Sequence, residues 1–313
     1  ELKKLNQLSK KLRKQRFKEG SVNFDMPEVK FKLDEEGVPV SVYVKERKDS
    51  NMLIEDFMLL ANRRVAAKIG KQEYPVPFVY RIHDLPDMMK VGDFIKFAQA
   101  LGYKMNIQTP EQIAKAYTQL LKDTKTRPEL KVLEPLAIRT MSKAVYSSDN
   151  IGHYGLGFSY YSHFTSPIRR YADVLVHRIF EKNLKERYAV KQAELEEMCG
   201  HISRQERKAT DAERQSVKYK QVEFMTKRIG EVFTGVISGM IDKGFFVELV
   251  DNFCEGMVTF STLPESYQLD ESRLFAVGNI SNKKIKMGDI VRVRIVSANL
   301  QTRKIDMELA NDE

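Results

Sequence analysis

Tyr161-Ser-His-Phe-Thr-Ser-Pro-Ile-Arg-Arg-Tyr-Ala-Asp-Val-Leu-Val-His-Arg178 decides how this chain is read. Ser166 is a good helix N-cap and Pro167 suits a first helical position. The spacing therefore predicts a long helix from just after Ser166 to about Tyr188. Arg169 and Arg170 then fall in its first turn. That is unfavourable for an empty helix, whose N-terminus already carries about half a positive charge. The arrangement makes sense around a phosphate held by backbone N–H groups, the Thr165 or Ser166 hydroxyl and a bidentate arginine. The alternative is that Asp173, four residues after Arg169, simply neutralises that arginine.

Upstream, residues 1–20 hold eight basic residues and two acids, most of the chain's net charge of +9. This points to a polyanion, nucleic acid first, or else to a solvated helix face. Leu2, Leu5, Leu8 and Leu12 recur at helical spacing and predict a helix with one buried stripe. β-prone runs at 29–33 and 38–46, joined by Asp34-Glu-Glu-Gly37, predict a hairpin. A helix follows over about 52–69, with Gly70 as its stop. Residues 74–81 read as an edge strand carrying prolines, then helices over about 86–101, 110–122 and 129–145. A further helix covers about 191–228.

From Ile229 short β-rich runs replace helical periods: 232–237, 244–249, 255–260, 288–296 and 303–309. Five strands in about eighty residues predict a small Greek-key barrel of OB type. The expected boundary lies at 228/229, in keeping with a length of 313 residues and about two domains.

Other classes are excluded or disfavoured. At 42% hydrophobic the chain can build a core, so wholesale disorder is excluded. No apolar run approaches the ~20 residues of a membrane helix, so no membrane partner is expected. The first residues lack a signal peptide and resemble the middle of a longer protein. Cys199 and Cys254 are too few for a disulfide framework or a four-cysteine zinc site, which fits a reducing, cytoplasmic setting. His153, His163 and His177 lack metal-ligand spacing and read as structural hydrogen-bonding residues. A monomer is expected.

The motif from His163 to Asp173, with His177-Arg178, resembles that of the ribonuclease II superfamily, whose catalytic unit is the RNB domain. Within that superfamily the motif is similar to the bacterial ribonuclease R branch. Leu53-Ile-Glu-Asp-Phe-Met-Leu-Leu-Ala-Asn62, Tyr80-Arg-Ile-His83, Ala144-Val-Tyr146 and Gly152-His-Tyr-Gly-Leu-Gly157 resemble the family too, in the right order. The tail resembles the S-one-type RNA-binding OB domain that follows the catalytic domain. The resemblance implies an α+β fold: part of an RNB catalytic domain with a mixed sheet and long helices over 1–228, then the barrel over 229–313. It implies a processive 3′→5′ exoribonuclease that hydrolyses single-stranded RNA with Mg²⁺ to 5′-nucleoside monophosphates.

Residue by residue, Arg169 matches the arginine that grips phosphate near the scissile bond, with Arg170 beside it. Glu55 matches a carboxylate on the RNA path, and Glu213 a glutamate close to the active site; either could be an ordinary surface acid. Phe24 matches an aromatic that clamps terminal bases, or it is plain core. In the barrel, Lys243-Gly-Phe-Phe246 stands where Phe-Gly-x-Phe is common, and Thr259 where a histidine is common. This implies RNA binding through Phe246 stacking and a Lys243 phosphate contact, unless the barrel only braces the catalytic part.

The departure from the family is sharper than these matches. Mg²⁺ chemistry needs clustered carboxylates, which the family draws from an aspartate-rich motif. This chain has neither Asp-Asp nor Asp-x-Asp. It reads as a fragment lacking the metal ligands, so the second hypothesis is a catalytically inactive RNA-binding module. A basic DNA-binding protein lacks any recognition-helix motif here.

Overall fold

A computed structural model describes residues 1–22, 28–186, 188–270 and 273–310. The chain opens with helix α1 (Leu2–Lys18), the hairpin β1 (Glu28–Leu33) and β2 (Pro39–Lys45), and helix α2 (Asp49–Gly70). Strand β3 (Tyr80–Ile82) precedes helices α3 (Met88–Ala100), α4 (Pro110–Asp123) and α5 (Leu133–Thr140). Strand β4 (Val145–Ser147) then leads to helices α6 (Tyr171–Lys185) and α7 (Gln192–Thr226). The remainder is β-structure: β5 (Val232–Ile241), β6 (Gly244–Leu249), β7 (Glu255–Thr259), β8 (Tyr267–Leu269), β9 (Phe275–Gly278), β10 (Lys284–Lys286), β11 (Ile290–Asn299) and β12 (Lys304–Leu309). Among the described residues no helix is long and apolar enough to cross a membrane.

The barrel closes in the order β11-β12-β7-β6-β5, from the five runs picked out in the sequence. Alternation puts Phe245, Val247 and Leu249 of β6 inside and leaves Phe246 and Glu248 facing out. The sequence pattern does not reveal the small antiparallel sheet β10-β9-β8, whose strands of three or four residues are too short to show a period. In the helical part the strands form two separate antiparallel pairs, β1-β2 and β3-β4.

Two cores organise the molecule. One joins α3–α5 and the C-terminal end of α7 to the barrel interior through Leu120, Leu133, Val222, Met225 and Ile237. The other packs α2, β3, β4 and α6 against the N-terminal part of α7, around Ala66, Phe78, Val176 and Cys199. Between them, residues 207–216 of α7 are exposed all round, as expected of a helix that bridges two packed bodies.

Several local expectations are corrected. Helix α6 starts at Tyr171, not after Ser166, because residues 167–169 form a separate turn. The helix expected over 129–145 ends at Thr140, and Val145–Ser147 is strand. Of 74–81 only the end enters a ladder, Tyr80 pairing with Ser147. Gly70 does not adopt a left-handed stop; a Cβ there would lie 2.5 Å from the Tyr160 ring, so close packing requires the glycine. The leucine stripe of α1 is largely unburied: Leu2, Leu5 and Leu8 are 76%, 40% and 44% exposed, and only Leu12 is half-buried. The face of α1 that packs is polar, with Ser9 and Arg16 buried against α2.

Candidate nucleic-acid interface

The motif segment lies across α2 and α6. Ser162 Oγ donates to the Val79 carbonyl at 2.6 Å, and the Phe164 N–H donates to Asn62 Oδ1 at 3.0 Å. The rings of Phe164 and His177 stack 4.1 Å apart, and His177 Nε2 shares a hydrogen bond of 2.8 Å with the Phe164 carbonyl. These contacts carry the chain into the turn at 167–169, where the N–H groups of Arg169 and Arg170 both donate to the Ser166 carbonyl, at 3.3 and 3.1 Å.

Asp173 organises that turn. Its fully buried side chain accepts the Ser166 N–H at 2.8 Å and takes Arg170 at two points, Nε at 2.8 Å and a terminal nitrogen at 2.9 Å. Two expectations change as a result. The carboxylate neutralises Arg170, not Arg169. It also supplies the negative group in the first turn of α6, so that helix end is not left for a phosphate. The Arg169 side chain is exposed with no hydrogen bond or ion pair among the described residues, beside a fully exposed Ile168. Thr165 Oγ1 is buried with no hydrogen-bond partner. A free guanidinium and an orphan hydroxyl thus sit four residues apart on one locked turn.

The other expected residues lie elsewhere. Glu55 on α2 pairs with Arg47 and lies 3.9 Å from Arg16. Its neighbour Asp56, unremarkable in the sequence, has a buried carboxylate that accepts Ser9 Oγ at 2.7 Å and Arg13 at 2.7 and 3.1 Å. Asp56 fastens α1 to α2 and turns the polar face of α1 inward. Glu213 is exposed on the bridging part of α7, and its field adds to the effect of Glu28 in holding Lys30 of the hairpin above its ordinary value. Lys243 is exposed in the β5–β6 turn, and the half-buried Phe246 points outward from β6, opposite Met257. Thr165, Ser166, Arg169 and Arg170 thus share one contiguous segment, while Glu55 stands on α2, Glu213 on α7 and Lys243 and Phe246 on the barrel. Phe24 lies outside the described residues.

The family profile of the RNB domain matches residues 1–186, and that of the S1 RNA binding domain matches residues 226–310. The chain belongs to the RNB family. Its sequence is 38% identical over 312 residues to ribonuclease R of Aquifex aeolicus, covering 98% of this chain and 44% of that protein. To Escherichia coli ribonuclease R it is 34% identical over 326 residues, covering 100% of this chain and 40% of that protein. The apo structure of Mycoplasma genitalium RNase R superposes with a TM-score of 0.91 at 26% identity, over 99% of this chain and 49% of that one. The chain spans less than half the length of these relatives.

In this RNB chain the histidines do structural work. His83 Nδ1 accepts the Gly155 N–H at 2.9 Å while its Nε2 reaches the Ser142 carbonyl at 2.7 Å. His153 stacks on His83, and His163 shares a 2.7 Å hydrogen bond with the Tyr146 hydroxyl. Burial pushes His153 down to about 3 and His163 to about 2, helped by His83 in the first case and Arg170 in the second. Arg81 lies over the Tyr146 ring and pairs with Glu206 of α7 at 2.6 Å, linking the motif to the bridging helix. Both cysteines are buried, and burial pushes their thiols up to about 12. Among the described residues, no three His, Cys, Asp or Glu side chains converge to hold an ion.

Proposed function

We propose that this chain is the RNA-gripping part of a 3′→5′ exoribonuclease that hydrolyses single-stranded RNA to 5′-nucleoside monophosphates. We divide it at 228/229 into the C-terminal part of the catalytic domain and an RNA-binding barrel. One observation carries the reading: on the turn locked by Asp173, Arg169 is left unpaired and Thr165 Oγ1 is left without a partner. A phosphodiester oxygen gives the exposed Arg169 guanidinium a charge-assisted contact. Arg170 then positions the turn and does not touch the phosphate. Lys243 and Phe246 extend the grip to the barrel through a phosphate contact and base stacking. The relatives support the nucleic-acid assignment, since M. genitalium RNase R has been solved in complex with ribose methylated single-stranded RNA.

A second reading, an RNA-binding module without chemistry of its own, is favoured by a sequence with neither Asp-Asp nor Asp-x-Asp. No catalytic step is derived through Mg²⁺. The two readings separate when a 3′-labelled single-stranded RNA is incubated with the chain and Mg²⁺, with and without EDTA. Binding without release of mononucleotides supports the module. EDTA-sensitive release of mononucleotides supports the enzyme.

A further inference from the structure

A cleft of about 1350 Å³ opens between α1, the α4–α5 region and the outer face of β5–β7, and none of its lining residues belongs to the Arg169 turn. It exceeds the roughly 300–1,000 Å³ of a typical small-molecule pocket, so its size suits a stretch of polymer. Lys14 and Lys18 enter it from α1, and Lys122, Lys125, Lys131 and Arg139 from the helical wall opposite. All six are exposed, and none has an ion-pair partner among the described residues. Six unneutralised cations around one cavity repel one another until a polyanion enters.

Two aromatic rings face the same space. Phe17 of α1 is 37% exposed there. Phe253 lines the cleft from the β6–β7 loop with φ +56°, a left-handed conformation unusual for a non-glycine residue. It is held by its own N–H donating to the Leu249 carbonyl at 2.9 Å and by Gln221 donating to its carbonyl at 2.9 Å. Cations interleaved with stacking rings are what a single strand needs, phosphates on the first and bases on the second. The barrel wall is acidic at Glu248 and Glu255, which oppose each other in the β6–β7 register. Glu255 accepts Ser238 Oγ at 2.9 Å, and neither glutamate pairs with the basic walls. On the helical wall Glu134 accepts Thr124 Oγ1, and the four cations there outnumber it, so the phosphates belong on that side.

We infer that this cleft is a second single-stranded RNA site, separate from the Arg169 turn, with its phosphates on the α1 and α4–α5 cations and its bases on Phe17 and Phe253. The inference rests on the reading of the chain as RNA-binding. The test uses the full chain and a labelled oligouridylate. Lys122→Glu/Lys125→Glu and, on the facing wall, Lys14→Glu/Lys18→Glu should each weaken binding about tenfold. Each should also flatten the dependence of log affinity on log salt by about 0.7 for every phosphate that is no longer neutralised. An oligonucleotide carrying 5-iodouridine should crosslink to peptides containing Phe17 or Phe253. Unchanged affinity and slope in both folded variants, or crosslinks confined to 164–171 and the barrel strands, would overturn the site. Labelled polyglutamate that binds as tightly as RNA and fails to bind the same variants would reassign the cleft to an acidic protein segment. Arg169→Ala separates the failures. If it alone abolishes binding, the cleft proposal falls and the Arg169 grip stands. If it binds as the parent does while the cleft variants weaken, the Arg169 grip falls and the cleft stands.

Discussion

Asp173 holds the guanidinium of Arg170, three residues before it, at 2.8 and 2.9 Å, and leaves Arg169 facing solvent. Adjacent arginines in one motif therefore have opposite roles. One is consumed in fixing the turn and the other is presented by it. An arginine with no protein partner keeps its full hydrogen-bonding capacity for a ligand.

Substitution should separate the two. Arg170→Ala leaves a buried carboxylate without its counter-charge and should cost about 3–5 kcal/mol of stability. Arg169→Ala should leave thermal stability within about 0.5 kcal/mol. It should weaken RNA binding by about 1.5–3 kcal/mol, the worth of a hydrogen bond to a charged group. Thermal melts and fluorescence anisotropy on the same preparations check both. A strongly destabilised Arg169→Ala would show that this arginine is structural.

The α1–α2 contact makes a similar contrast between neighbours. Asp56→Ala strands Ser9 and Arg13 and should cost about 3 kcal/mol or more. Glu55→Gln alters a side chain that is 38% exposed and should change stability by less than about 1 kcal/mol. Urea denaturation measures both. Equal effects would show that α1 is not anchored through Asp56.

Stability should fall on mild acidification. His153 and His163 are held near 3 and 2, first by burial, so the fold keeps both neutral. The unfolded chain binds a proton at each near pH 6.5. It therefore holds more protons than the native state below that pH, and stability rises with pH through this window. The contribution is complete above about pH 6.5 and is lost as pH falls, at up to about 1.4 kcal/mol per pH unit for each histidine. His163→Gln should flatten the slope between about pH 6.5 and 5, where most carboxylates still contribute little. A melting temperature constant over that range in the parent chain would contradict the buried neutral state.

Gly244 and Gly239 should respond differently to alanine. A Cβ on Gly244 would lie 2.1 Å from the Val258 carbonyl oxygen, a backbone atom of the paired strand. Gly244→Ala should cost about 1–3 kcal/mol. At Gly239 the nearest atom is on the Phe246 ring at 3.6 Å, an ordinary contact, and alanine should be tolerated. Circular dichroism melts of the two variants compare them directly.

What the sequence determined by itself was local. The hairpin, the barrel strands and α7 follow from alternation, helical period and turn residues, which act within a few positions of one another. The Thr165–Arg170 cluster was legible for the same reason, since its members are contiguous. Tertiary structure decided which face of α1 packs. The Leu2, Leu5, Leu8 and Leu12 stripe predicts one buried face, yet α2 presents the carboxylate of Asp56, and burying it draws in the Ser9, Arg13 and Arg16 side chains that flank the stripe. It also decided which arginine of the motif is free. Both lie within helical reach of Asp173 in sequence. Only the separate turn ahead of α6 puts Arg170 against that carboxylate and points Arg169 away. A buried charge takes the partner that the backbone path brings to it, and that path is set by contacts distant in sequence, such as Asn62 holding Phe164.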